Sequence, residues 1–239
     1  MCRMIAAVGR FDMGPLVEGL SDMASNANVA HDHEFRERGD EFVHDCGWGV
    51  VFREDDALTR ERSARYCVDD PSFARLAEVR TDLVVLHARR TPRRETISES
   101  NSHPFIARTL RTTWAFCHNG TVNDVSQLSP DDSLANPDPV DSEVLFHHLL
   151  RRLDPGLTQA SLLETMGEIT DFTALNCFLA TPDAVYAYAR VAADTTRPRY
   201  YELWQGVGDA VMLASSEPIA LPSVEWTPLA DCEVFHLGP

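Results

Sequence analysis

The chain opens with Met1-Cys2-Arg3-Met4-Ile5-Ala6-Ala7-Val8-Gly9, a short apolar run with a cysteine at its second position. A continuous apolar run of this length is typical of a buried strand, and it predicts a first strand over residues 3–8. The apolar part is too short for the core of a secretion signal, so we expect the strand to remain in the folded protein. Cys2 would then stand at the start of a buried strand.

A cysteine at position 2 has a chemical property that an internal cysteine lacks. A small second residue usually permits removal of the initiator methionine, which leaves a thiol and a free α-amine on one carbon. Such an amine titrates at about pH 7.7–8.0, against about 10.4 for a lysine, so it can accept the thiol proton near physiological pH. An N-terminal nucleophile therefore carries its own general base. We expect the mature chain to begin at Cys2, although a cysteine in this position is by itself common.

Composition excludes several classes of partner. The 239 residues carry 37 acidic and 21 basic side chains, a formal charge of −16, and all of these basic side chains are arginine. Binding to nucleic acid or to an anionic membrane needs a basic face, so we expect neither partner. No apolar run approaches the ~20 positions that a membrane-spanning helix needs. The six cysteines form no C-x-x-C pair of the kind that holds zinc or acts in redox chemistry. These features predict a cytoplasmic protein.

Strand patterns surround a helical middle section of the chain. Besides the first strand, apolar runs predict strands at 46–52, 83–88, 112–117, 174–180, 184–191, 200–204, 210–215 and 232–237. Helical spacing predicts helices at 16–24, from Asp141 onward and over 159–169. The motif His118-Asn119-Gly120 predicts a turn, and residues 91–102 and 126–140 read as loops. Because no repeat or linker divides the chain, we predict one α+β domain over residues 1–239, with stacked antiparallel sheets covered by helices.

Three polar groups at strand and helix ends could carry chemistry. Arg89 ends a predicted strand, and its forked guanidinium suits a carboxylate. Asn119 and Gly120 could give a side-chain and a backbone N–H group to an oxyanion. Asp141 places a carboxylate at a helix start. Each group also has an ordinary interpretation, namely a solvated strand end, an Asn-Gly turn and a helix N-cap.

The order of the motifs along the chain is more informative than any one of them. The motifs are Met1-Cys2-Arg3, Asp45-Cys46-Gly47-Trp48-Gly49, His87-Ala88-Arg89, Asn101-Ser102-His103-Pro104-Phe105, His118-Asn119-Gly120, Asp141-Ser142-Glu143, Leu175-Asn176 and Ala214-Ser215-Ser216-Glu217-Pro218. In this order the chain resembles the class II glutamine amidotransferases, which have the N-terminal-nucleophile hydrolase fold. The Met-Cys-Arg start is similar to the small stand-alone branch, which includes the γ-glutamyl amidase of ergothioneine biosynthesis. The resemblance implies a four-layer αββα sandwich of two stacked antiparallel sheets flanked by helices.

The resemblance also implies roles for the motif residues. Cys2 would attack the side-chain amide carbon of a γ-glutamyl substrate, and Asn119 and Gly120 would hold the oxyanion. Arg89 would bind the substrate α-carboxylate, and Asp141 the α-ammonium group. A thioester would form, ammonia or an amine would leave, and water would release glutamate, with no cofactor and no metal. The pocket would be shaped by four further residues, Trp48, Gly49, His87 and His103.

Two versions of this activity and one alternative remain open at the level of sequence. The first version is an amidase that cleaves glutamine or a γ-glutamyl metabolite. The second is a glutaminase subunit that feeds ammonia to a synthase on a separate chain. The alternative is a catalytically silent module that binds glutamine-like ligands, which a retained Met1 would favour and the intact set of motif residues argues against.

One further stretch has the side chains of a metal site. His31-Asp32-His33-Glu34, with His44 nearby, offers imidazoles and carboxylates that suit zinc or a related ion. Its ligands lack a regular spacing, and we therefore expect a polar surface loop instead.

Overall fold

The computed structural model describes residues 2–130, 134, 136–154 and 156–238, and it contains two antiparallel sheets. The larger sheet consists of β1 (Cys2–Gly9), β2 (Trp48–Glu54), β3 (Ala57–Ser63), β4 (Leu83–Arg89), β9 (Trp204–Val207), β10 (Val211–Ser215) and β11 (Glu225–Pro228). The smaller sheet consists of β5 (Phe105–Arg108), β6 (Thr113–Val122), β7 (Phe172–Ala180), β8 (Val185–Ala189) and β12 (Glu233–Leu237). Their spatial orders are β11-β9-β10-β1-β4-β2-β3 and β12-β8-β7-β6-β5. The first strand of the chain therefore lies at the centre of the larger sheet.

The described residues form four α-helices beside the sheets: α1 (Met13–Ala24), α2 (Pro71–Ala74), α3 (Asp141–Leu153) and α4 (Gln159–Gly167). α4 begins with a capping box, in which the side chains of Thr158 and Ser161 each accept a hydrogen bond from the other's backbone N–H. Within the described ranges, no helix has both the length and the apolar character to cross a bilayer. The expected sandwich of two stacked antiparallel sheets with helices is confirmed.

Alternation along the strands divides the core into three layers. The outer layer on the larger sheet joins Leu16 and Leu20 of α1 to Ile5 of β1. The layer between the sheets contains Met4 of β1 and Phe178 of β7. The outer layer on the smaller sheet packs α3 and α4 on β6 and β7. The parity of a residue along its strand therefore tells which layer its side chain enters.

The predicted turn at His118-Asn119-Gly120 is wrong. β6 continues to Val122, pairing Asn119 with Asn176 of β7, and the register shifts only between Gly120 and Val122. Long-range pairing has overridden the local Asn-Gly preference. Gly120 is required for a different reason, since a Cβ atom there would collide with the carbonyl oxygen of Ala174.

The remaining differences between the predicted and the observed strands lie where the residues show no simple apolar run or alternation. The predicted strand at 200–204 is a 3-10 turn at Arg199–Tyr201, and β9 starts only at Trp204. The sequence pattern missed β3, β5 and β11, which are short or polar strands at or near the sheet edges, where alternating apolar residues are not needed. Of the predicted loop at 126–140, residues 131–133 and 135 lie outside the described residues.

Removal of a buried leucine should lower the free energy of unfolding far more than removal of an exposed one. Leu179→Ala in β7 removes a fully buried side chain from the layer beneath α3 and α4, and we expect it to lower the free energy of unfolding by about 2–5 kcal/mol. The same change at the fully exposed Leu110 should alter it by less than about 0.5 kcal/mol. Urea unfolding of both variants measures the difference. Equal losses would contradict the described packing.

Candidate active site

Cys2 lies at the end of β1 with its side chain in the layer between the two sheets. It has the same parity as Met4 and Ala6, which belong to that layer. In the register of β1 with β4, Cys2 is the partner of Arg89 and Met4 is the partner of His87. His87 and Arg89 share the parity of Val85, so both side chains enter the same layer as the thiol.

Asn119 reaches Cys2 from the opposite sheet. Its parity in β6 matches that of Cys117, another residue of the layer between the sheets. The backbone N–H of Cys2 donates to Oδ1 of Asn119 over 2.7 Å. Because the amide oxygen accepts this bond, the NH₂ group is the end of Asn119 that is left to donate to an oxyanion. The two sheets therefore meet at the atom that becomes the α-amine once Met1 is removed.

Arg89 is buried, and its two terminal nitrogens are engaged by one residue of the 91–102 loop. Nη1 donates to the carbonyl oxygen of Thr96 and Nη2 to its hydroxyl, each over 3.0 Å. Thr96 ends a short 3-10 turn at Arg94–Thr96. A substrate carboxylate at Arg89 would have to share or replace these contacts. Thr96 belongs to no motif of the sequence analysis.

Asp141 is the first residue of α3 and lies beside the end of β6. Its Oδ2 accepts the backbone N–H of Val122 over 2.9 Å. The N-cap of α3 is Val140, so the interpretation of Asp141 as a helix cap is wrong. The carboxylate instead joins the start of α3 to the segment that follows Gly120.

His118 and Ser142 link β6 to the same helix. Nε2 of His118 lies 3.0 Å from the carbonyl oxygen of Ala174, which can only accept, so this nitrogen carries the hydrogen. Nδ1 then accepts the hydroxyl of Ser142 over 2.9 Å. Burial lowers the pKa of His118, against the opposing effect of Asp141. A neutral histidine therefore holds the residue after Asp141 in place.

His87 and His103 pack together beside the thiol. Their ring centroids lie 4.3 Å apart, and both side chains are buried. None of the four ring nitrogens has a hydrogen-bond partner among the residues that the structure describes. Burial holds the pKa of His103 well below its usual value. Two buried imidazoles with unused nitrogens therefore line the layer next to Cys2.

The side chain of Trp48 is not brought to this site. It shares the parity of Val50 and enters the outer layer beneath α1, where its indole N–H donates to Asp70 over 3.0 Å. Its neighbour Gly49 approaches the site through the backbone, because a Cβ atom there would collide with the carbonyl oxygen of His103. The expectation that Trp48 shapes the pocket is therefore corrected for its side chain.

The residues suspected of metal binding have other partners. Glu34 accepts the backbone N–H groups of Arg199 and Tyr200, over 3.1 and 2.9 Å. His33 is buried and contacts Glu217. Over the described part of the chain, no group of three or more His, Cys, Asp or Glu side chains has the arrangement of a metal site.

Comparisons with known proteins identify the family of this chain. Residues 20–202 match the sequence profile of the class II glutamine amidotransferases, which is more than half of the chain. The chain belongs to this family. An uncharacterized protein of Methanocaldococcus jannaschii is 25% identical over 167 residues, covering 65% of this chain and 45% of the relative.

Solved structures share the fold of this class II glutamine amidotransferase. The glutamine phosphoribosylpyrophosphate amidotransferase of Bacillus subtilis superposes with a TM-score of 0.71 at 15% identity, over 99% of this chain and 47% of that one. A class II domain protein of Silicibacter pomeroyi gives 0.62 at 18% identity, over 100% and 95% of the two chains. The chain thus spans less than half the length of the Methanocaldococcus and Bacillus proteins.

The thiol of Cys2 differs electrostatically from the other cysteines of this amidotransferase. Burial raises its pKa, but the positive charge of the Met1 amine and the nearby His87 imidazole outweigh burial and lower the pKa to about 6 in the chain that carries Met1. His87 acts here as a close charge partner without the geometry of a strict hydrogen bond. Burial raises the pKa of all five others, Cys46, Cys67, Cys117, Cys177 and Cys232. A low thiol pKa is the mark of a nucleophilic cysteine.

The pH dependence of alkylation should show this difference. The thiolate is the reactive form, so the rate of Cys2 modification by iodoacetamide should rise with a midpoint near pH 6. The exposed Cys232, whose pKa is raised mainly by burial and next by Asp231, is an internal control and should react with a midpoint above its ordinary value. Peptide mapping by mass spectrometry at each pH gives both profiles. Coincident profiles would refute a depressed thiol pKa at Cys2.

Proposed function

We propose that this protein hydrolyses the side-chain amide of glutamine, or of a related γ-glutamyl compound, through a thioester on Cys2. The α-amine of Cys2 accepts the thiol proton, and the thiolate attacks the amide carbon. The carbonyl electron pair moves onto oxygen, where the NH₂ group of Asn119 and the backbone of Gly120 stabilise it. The pair returns as the C–N bond breaks, and the proton held by the amine goes to the leaving nitrogen. Water then cleaves the thioester and releases glutamate.

The observation that supports this proposal most is the meeting of Cys2 and Asn119 from opposite sheets. Nucleophile, amine and oxyanion donor are close together because of the 2.7 Å contact between Cys2 N and Asn119 Oδ1. The nearby His87 imidazole, which also lowers the pKa of the thiol, supports the same assignment. The low identity to the solved structures carries only the fold, so the substrate rests on the chemistry of the site.

The substrate charges are assigned to residues on two sides of Cys2. Arg89, the register partner of Cys2, would bind the α-carboxylate. Asp141, beside the end of β6, would bind the α-ammonium group. We propose that His87 and His103 line the space between, with their free nitrogens toward substrate or leaving group.

Replacement of Cys2 tests the nucleophile. Cys2→Ala should abolish hydrolysis of glutamine while it preserves the thermal unfolding midpoint, because little volume is lost. Cys177→Ala, a buried cysteine in β7, is the matched control and should retain turnover. Ammonia release measures activity, and a γ-diazo-ketone analogue of glutamine should label Cys2 and spare Cys177. Wild-type turnover by Cys2→Ala would remove Cys2 from the mechanism.

Replacement of Arg89 and Asp141 tests substrate recognition. Arg89→Lys and Asp141→Asn should each lower kcat/KM for glutamine, because each leaves a substrate charge poorly paired. The loss should correspond to about 2–5 kcal/mol of transition-state binding. Arg89→Lys should lose far less with the decarboxylated analogue of glutamine, and Asp141→Asn with the deaminated one. Steady-state kinetics of the variants with all three amides gives the comparison. If neither variant changed this discrimination, the two assignments would have to be abandoned.

A further inference from the structure

The first three residues of β1 pair with a neighbouring strand on one side only. β4 pairs with β1 from Cys2 to Val8, whereas β10 pairs with it only from Ile5 to Gly9. Chain ends fray unless something holds them. The nucleophile therefore depends on contacts other than the β10 ladder.

The first of these contacts comes from the residue that follows β10. Ser216 accepts the backbone N–H of Met4 on its hydroxyl over 3.0 Å. Its own N–H donates to the carbonyl oxygen of Met4 over 2.9 Å. Ser216 thus extends the pairing by one residue and places Glu217 next to Arg3.

Arg3 is fully buried on the face of the sheet opposite to the Cys2 thiol. Its Nη2 lies 2.9 Å from Oε1 of Glu217, which is also fully buried. Its Nη1 donates to the carbonyl oxygen of Tyr200 over 3.0 Å, and the guanidinium lies 4.0 Å above the Tyr200 ring. The side chain directly after the nucleophile is therefore fixed on several sides.

Glu217 also binds the loop that follows α1. Its Oε2 accepts Asn28 over 2.7 Å and Arg36 over 3.0 Å. Burial raises the pKa of this carboxyl, but Arg3, His33 and Arg36 outweigh burial and lower it to about 2, so it is ionised.

His33 completes the group without adding a charge. Its Nδ1 accepts the N–H of Phe35 over 3.2 Å, and its Nε2 lies 2.9 Å from Nη2 of Arg3 and 3.3 Å from Oε1 of Glu217. Burial lowers the pKa of His33. Two arginines and one carboxylate then leave about one net positive charge behind Cys2.

We propose that Arg3 and Glu217 form a positioning pair that fixes the start of β1 and sets the charge felt by the amine and thiol of Cys2. This inference rests on the proposed function, because it assigns a role in that reaction. Positive charge behind the nucleophile favours the neutral amine and the thiolate, the two forms that the mechanism needs. Neither residue touches the substrate in this mechanism.

Other groups also face this end of β1 and stay unchanged in the experiment. They are His87, Arg89 and Arg90 in or after β4, His118 of β6, and His44, His103, Tyr200 and Tyr201 from the loops. A shift in the pH midpoint of Cys2 alkylation on mutation of Arg3 or Glu217 therefore reports the charge of the mutated residue.

Mutation of the two partners tests the proposal through shifts of opposite sign. Arg3→Met removes a positive charge and should move the pH midpoint of Cys2 alkylation up, by about half a unit or more. Glu217→Gln removes a negative charge and should move it down. Arg3→Lys keeps the charge and should hold the midpoint near that of the wild type, which keeps the test decisive if Glu217→Gln fails to fold. For glutamine hydrolysis, Arg3→Met should lower kcat at least about tenfold and leave KM within about twofold.

Arg190→Met is the matched control. Arg190 also donates to two carbonyl oxygens, those of Met166 and Ile169, and lies over the Phe172 ring, but it does so on the outer layer of the smaller sheet. The Arg190→Met variant should be less stable than the wild type, with no shift in the pH midpoint of Cys2 alkylation. Shifts of the same sign in Arg3→Met and Glu217→Gln, or a shift in Arg3→Met no larger than in Arg190→Met, would overturn the proposal. Opposite shifts in a protein whose wild type hydrolyses no glutamine would support the pair and reject only the proposed function.

Discussion

The hydrogen bond from Cys2 N to Asn119 Oδ1 is the contact on which the candidate site depends. It joins the central strand of the larger sheet to β6 of the smaller sheet, at one end of a layer whose core is apolar. A polar group in such a layer needs a partner, because an unpaired buried N–H is costly. The relative position of the two sheets therefore determines whether the nucleophile and the oxyanion donor meet. The apolar side chains between the sheets, such as Met4 and Phe178, set that distance by their packing.

Much of the fold could be predicted from the sequence, for reasons that differ between elements. β1, β4 and β7 are buried on both faces, so their apolar runs were visible without any tertiary information. Edge strands bury too few side chains to show such an apolar run. One example is β3, which carries Arg60 and Arg62. His118-Asn119-Gly120 had the local signature of a turn, and only the partner strand β7 keeps it extended. Local preference fails where distant pairing decides the backbone.

The same contrast applies to the site. Cys2, Arg89 and Asn119 could be named as candidates because their residue types suit the chemistry and their motifs occur in a recognisable order, and the structure places them close together. Trp48 was misplaced because a motif gives residue identity but not the face of the strand that each side chain takes. Thr96 belongs to none of the motifs, and Glu217 belongs to one that carried no role for it. Their contacts to Arg89 and Arg3 come from chain segments folded against the strands.

The central position of β1 has a consequence for the order of events during synthesis. Ile5 pairs with Ser215, so the second strand beside β1 is made about 200 residues after β1 itself. At about 5–20 residues per second, the ribosome needs roughly 10–40 s to reach β10. During this interval the amino terminus lacks one of its neighbours and is open to an aminopeptidase, whereas Cys2 is only 5% exposed in the folded chain. Removal of Met1, which the proposed mechanism requires, would therefore be easier on the growing chain than after folding has buried this end.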